Sequence, residues 1–158
     1  MKDAIPVCVS ISSRLIDLLT GSLDPAVYED KIEYETRGLI SVENGWVLLR
    51  YEEPAGSGME GSTSSLTFEE GRPGLLSMER SGSAFASLTF DSDHRRQNCA
   101  VNAAGFDISF TIILRSFENS LDPEKGGKIE LDYIIARGAI EAERVVLKVT
   151  ASPEEFGK

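Results

Sequence analysis

Arg80 follows Leu76 and Met78 at two-residue spacing, so on an extended strand its guanidinium shares their face. If that face is an interior, the charge needs a partner, because a lone buried charge is very costly. With a carboxylate it forms a structural ion pair; left free near an opening, it can hold an anionic group through its bidentate fork. A structural or outward role is the simpler reading of one such arginine. Arg50 raises the same question. It shares a face with Trp46 and Leu48, while Tyr51 shares one with Val47 and Leu49, and the pattern leaves open which face is inside. Tyr51, and Tyr133 in a later alternating run, each combine an apolar body with one hydroxyl. Arg80, Tyr51, Arg50 and Tyr133 are therefore the candidate ligand contacts.

Other chemistry is weaker. Gly56-Ser57-Gly58-Met59-Glu60-Gly61 has the GxGxxG spacing, but a dinucleotide site needs a strand before that string and a helix after it. Here a Ser-rich stretch and a short strand follow, so a loop is the default. His94 lies beside Asp91 and Asp93 in a turn-like stretch, without the nucleophile and orienting group that catalysis requires. One histidine and no cysteine cluster make no zinc set, and Asp91-Ser92-Asp93 lacks the remaining ligands of a calcium loop. No serine occupies a Gly-x-Ser-x-Gly elbow. No catalytic residue, metal or cofactor is expected.

The chain has 158 residues, 41% hydrophobic and 27% charged, within the range of one globular domain spanning residues 1–158. Sixteen basic residues against 26 acidic ones give a formal net charge of −10, which disfavours phosphate backbones and anionic lipid. The start lacks the apolar core of a signal peptide, and no apolar run approaches the length of a membrane helix. Two distant cysteines, Cys8 and Cys99, read as reduced packing residues. The expected compartment is the cytoplasm, with neither nucleic acid nor membrane as partner.

These residues must be positioned by strands. Phe106, Ile108, Phe110, Ile112 and Leu114 recur at every second position; Ile129, Leu131, Tyr133 and Ile135 repeat the pattern, then Val145, Leu147 and Val149. Alternation of this kind places one apolar face on three long antiparallel strands. Earlier strands are expected at about Ile5–Ile16, Lys31–Ser41, Trp46–Tyr51, Leu66–Glu69, Leu75–Arg80, Ala84–Phe90 and Arg95–Val101. Asp24-Pro25 can cap a short helical turn, and Glu43-Asn44-Gly45 closes a hairpin. Pro54–Ser65 reads as a flexible Gly/Ser loop, Gly71-Arg72-Pro73-Gly74 as a turn, and Asp122–Gly127 as hairpin chemistry. Eight to ten strands with little helix predict an all-β, closed or nearly closed antiparallel up-and-down barrel, since long strands in an open sheet would leave pairable edges.

The order of Tyr34-Glu35-Thr36-Arg37-Gly38, Tyr51-Glu52-Glu53, Leu66 and Phe68, and Met78-Glu79-Arg80-Ser81-Gly82 resembles the YwiB-like family of bacterial proteins of unknown function. Gly105 with the strand after it, Asp122-Pro123-Glu124-Lys125-Gly126 and Ile129-Glu130-Leu131-Asp132-Tyr133 continue the match from Val7 to Ala151. The resemblance implies a calycin-like, lipocalin-related barrel and carries no activity. Two stretches depart from it: the Leu18–Glu29 connection is longer, and Cys99-Ala100-Val101 replaces a more polar strand. The leading expectation is a non-enzymatic barrel holding a small apolar or amphipathic ligand, anchored by Arg80 or Tyr51. A packed barrel acting through a homodimer or partner interface at Trp46 or Leu39 is the alternative. A hydrolase or isomerase pairing an inward carboxylate with Arg80 comes third.

Overall fold

A computed structural model of the chain describes residues 4–57, 60–82, 85–103 and 106–153. Ten strands carry the fold: β1 Ile5–Asp17, β2 Glu29–Glu43, β3 Trp46–Glu52, β4 Ser62–Glu69, β5 Arg72–Gly82, β6 Phe85–Asp91, β7 Arg96–Ala103, β8 Phe106–Asn119, β9 Gly127–Arg137 and β10 Ile140–Pro153. Each pairs antiparallel with its neighbour in sequence, and β10 returns to β1, so the sheet is a closed ten-strand barrel. The only helix among the described residues is the single turn α1, Pro25–Tyr28, where Asp24 accepts a hydrogen bond from the Ala26 N–H at 3.0 Å. The anticipated hairpin forms at Asn44-Gly45, with φ of 53° and 82°, the left-handed pair that a two-residue hairpin favours.

Two boundaries differ from expectation. The loop after Pro54 ends at Gly61, because Ser62 and Ser64 alternate in phase with Leu66 and Phe68 and face inward, almost fully buried. Composition pointed to a loop, whereas period-two burial decides for a strand. The turn expected over Gly71–Gly74 is tighter: Arg72 already pairs with Glu69, and Arg72–Gly74 belong to β5. Gly58 and Met59 of the glycine string, Ser83, Ala84, Gly105, the side chain of Phe106 and residues 1–3 lie outside the described residues.

The interior is filled unevenly along the barrel axis. At the end holding the β2–β3, β4–β5 and β6–β7 turns, Val7, Val9, Ile40, Leu49, Leu66, Leu76, Phe90, Ile112, Leu131 and Val149 are fully or almost fully buried. Leu121, from the β8–β9 connection, joins that core. At the opposite end the same strands carry Ile11, Leu15, Met78, Leu88, Phe110, Ile135 and Leu147, and these surround a cavity of about 490 Å³. Phe110, Leu131 and Leu147 thus face inward, as the alternation requires. Charged rows cover the outside: Arg144 grips Asp132 through two contacts of 2.9 and 2.6 Å, and Lys128 and Lys148 approach Glu130. Among the described residues no helix is long and apolar enough to cross a membrane.

Candidate functional site

The register of four neighbouring strands builds the polar wall of the cavity. Gly38 in β2 lies opposite Tyr51 in β3, Tyr51 opposite Ser64 in β4, and Ser64 opposite Arg80 in β5. Cross-strand neighbours share a face, so Tyr51, Ser64 and Arg80 form one inward row. Gly38 leaves room for it: a Cβ there would meet the Arg50 carbonyl oxygen at 2.6 Å and Val9 Cγ2 at 2.9 Å. One residue beyond β3, the Glu53 N–H still reaches the Ser62 carbonyl at 2.9 Å. That bond extends the ladder and keeps Glu53 in the inward phase of Val47, Leu49 and Tyr51.

Glu53 is 5% exposed, and three donors meet its carboxylate. Ser64 Oγ donates to Oε1 at 2.8 Å, Tyr34 Oη donates to Oε2 at 2.5 Å, and Arg80 Nη2 lies 3.7 Å from Oε1. Arg80 Nε also donates to Ser64 Oγ at 3.3 Å. The guanidinium therefore spends only part of its donor fork on the wall, and its side chain stays 22% exposed toward the opening. Burial, with the Glu53 carboxylate nearby, pushes the Tyr51 hydroxyl up to about 12 and the Tyr34 hydroxyl higher still. Both phenols stay protonated, Tyr34 as a hydrogen-bond donor to Glu53 and Tyr51 hydrogen-bonded to Ser64.

Tyr133 faces this wall from β9. It is 5% exposed, its ring packs on Phe90 with centroids 4.9 Å apart, and it lines the cavity. Among the described residues its hydroxyl has no hydrogen-bond partner. Burial raises its pKa, against the lowering pull of Arg80. The structure thus brings Arg80, Tyr51 and Tyr133 into one chamber. It leaves Arg50 out: that side chain is exposed on the outer face that it shares with Trp46, because the Tyr51 face of β3 is the inner one.

Glu53, Tyr34 and Ser64 were missed by sequence reasoning as site residues. Tyr34 was on the apolar face, but its partner sits 19 positions away. Ser64 was hidden in Ser-rich sequence, although its spacing from Leu66 and Phe68 was the available signal. His94 proves to be turn chemistry: its Nδ1 lies 3.2 Å from Asp91 Oδ2, while Asp91 accepts the Asp93 N–H at 2.9 Å and approaches Arg72 at 3.6 Å. The backbone N–H of Asp93, more than His94, holds Asp91 ionised below the usual carboxylate range. Both cysteines are free thiols. Among the described residues no group of three or more His, Cys, Asp or Glu side chains is placed to hold a metal ion.

Fold and site together define a class: a closed ten-strand antiparallel barrel, packed at one end and hollow at the other, with a carboxylate–arginine pair on its inner wall. The chain belongs to the family described as a domain of unknown function (DUF1934), whose model matches residues 18–149. Among solved structures it is similar to the crystal structure of the ywiB protein from Bacillus subtilis. That match has a TM-score of 0.76 and 18% identity, and it covers 98% of this chain and 96% of that one. At that identity the likeness speaks for the fold. No curated protein matches the chain.

Proposed function

We propose that this barrel binds one small, largely apolar molecule in its hollow end, with a hydrogen-bond acceptor on that molecule held by Arg80 and Tyr133. The observation that carries the reading is the cavity itself. Its volume of about 490 Å³ falls within the range of ligand sites, about 300–1,000 Å³. Apolar walls with a few convergent polar groups are the usual make-up of such sites. Closed barrels of about eight strands already hold one small ligand, and this one has ten.

The donors decide which end of a ligand meets the polar wall. Glu53 is already met by Ser64, Tyr34 and Arg80, so its lone pairs are largely committed. Arg80 and Tyr133 retain donors that face the chamber, and an ester, ketone or amide carbonyl answers them. Tyr51 is spent on Ser64 and serves as wall rather than anchor. Two free thiols fit a reducing compartment such as the cytoplasm.

The test is native mass spectrometry of protein purified from its own host, joined to titration with a medium-chain methyl ester followed by intrinsic fluorescence. Saturable one-to-one binding is expected, and Ala86→Trp, which fills the chamber, should weaken it at least tenfold while the circular dichroism stays unchanged. A protein that carries no copurified molecule and gives no saturable titration ends the reading.

A second reading rests on Leu39 and Trp46, each 46% exposed on the outer wall. They would form a homodimer or partner interface, and a strictly monomeric species in light scattering argues against the homodimer.

A further inference from the structure

The mouth of the chamber is bordered by three carboxylates on neighbouring strands. Asp17 ends β1 in the inward phase of Ser13 and Leu15, and it lies directly opposite Glu143 in β10. Asp30, near the start of β2, is in phase with Ile32 and Tyr34 and pairs with Leu15. Glu143 lines the cavity beside a β-bulge between Glu141 and Glu143, a device common at barrel rims that re-aims side chains. Burial first, then the charges of Asp17 and Asp30, raises the pKa of Glu143. Among the described residues none of the three forms an ion pair. Arg137, from β9, lines the same opening and pairs with none of them. The rim therefore sets three carboxylates against one guanidinium.

Like charges held together in excess of their counter-ions cost stability, and they concentrate cations at an opening. The three carboxylates do not converge tightly enough to hold a metal ion. Spread along an arc, they suit a bulkier cation. A second observation points inward from the same opening: Tyr133 is 5% exposed as a residue, yet its hydroxyl, unpartnered among the described residues, opens onto the cavity within electrostatic reach of both Arg80 and Glu143. The chamber is thus bipolar, with donors on its β5 and β9 walls and negative charge along its β1, β2 and β10 lip.

Building on the proposed binding of a small ligand, we infer that the ligand is a cationic amphiphile: an acceptor end on Arg80 and Tyr133, an apolar body along Leu88 and Phe110, and an ammonium at Asp17, Asp30 and Glu143. An anionic amphiphile would satisfy Arg80 but would have to pass and then face the acidic lip.

A matched set of medium-chain methyl esters tests this, with the far end bearing an ammonium, a hydroxyl or a carboxylate. The unmodified protein should bind the ammonium ester about tenfold more tightly than the hydroxyl ester, and the carboxylate ester most weakly. Added salt should erode the first preference and leave the hydroxyl ester unaffected. The D17N/D30N/E143Q variant should bind the ammonium and hydroxyl esters equally; Asn at position 17 can still accept the Leu19 N–H that Asp17 caps at 2.8 Å. If that variant fails to fold, the salt series on the unmodified protein decides alone. Equal binding of all three esters, or preference for the carboxylate, overturns the inference and leaves the cavity reading standing. Binding of none overturns both.

Discussion

Glu53 is the residue on which the polar wall depends, because a carboxylate so deeply buried is tolerable only while its donors remain. Replacing Arg80 by Leu removes the one compensating charge and should lower stability by about 1–3 kcal/mol. Combining it with Glu53→Gln should restore part of that loss, so a double-mutant cycle followed by urea denaturation reads a favourable coupling. Strict additivity would mean that the pair is not coupled. The tyrosines give a second outcome. Burial pushes the Tyr51 hydroxyl up from its ordinary 10.0 to about 12, and it raises Tyr34 and Tyr133 as well. With folded values raised, the unfolded chain loses these protons first. Their contribution is complete below about pH 10 and disappears as pH climbs through the folded values. Alkaline titration should therefore show phenolate absorbance from these three tyrosines rising together with loss of structure. Arg80 was readable as sharing a face with Leu76 and Met78, four and two positions before it. Its carboxylate was not, because Glu53 stands past the end of its strand, and only the bond to Ser62 extends the alternation that far.

Strand phase explains what was and was not legible at the level of elements. Asp17 and Asp30 fall one residue outside the strand limits expected from apolar alternation, so the acidic lip was invisible. Polar residues at a strand end look like loop, although their parity already placed them inside. β8 hides a different feature. Its inward series runs Ile108, Phe110, Ile112, Leu114 and then Phe117, and the slip marks a bulge between Leu114 and Ser116. Gly38 is the most sensitive point in β2. Its missing side chain lets β1 and β3 close around it, so Gly38→Ala should cost about 1–3 kcal/mol from overpacking, read as a lower urea midpoint with unchanged m-value. By contrast, Leu23 is 95% exposed in the β1–β2 connection, and Leu23→Ser should change stability by less than about 0.5 kcal/mol.

Taken whole, the barrel assigns stability to one end and space to the other. Leu66→Ala, in the packed end, should cost about 2–5 kcal/mol, the usual price of a cavity where neighbours cannot collapse. Leu88→Ala, on the chamber wall, should cost about half that or less, since one side of Leu88 already meets open space. Equal losses in thermal and urea unfolding would contradict this division. Nothing in residue type announces it. Leu88, Phe110 and Leu147 alternate as regularly as Leu66, Phe90 and Leu131, and what separates the two sets is that only the first borders the cavity. Closure itself was legible from the length and number of the alternating runs. It also has a temporal consequence. The strand that seals the cylinder against Val7–Asp17 is the last of the ten, so its partner waits while the eight strands between them are made. Until that final zipper forms, a growing chain carries two raw sheet margins and no finished interior. Such a barrel matures late, all at once, and is most in need of protection just before its tenth strand docks.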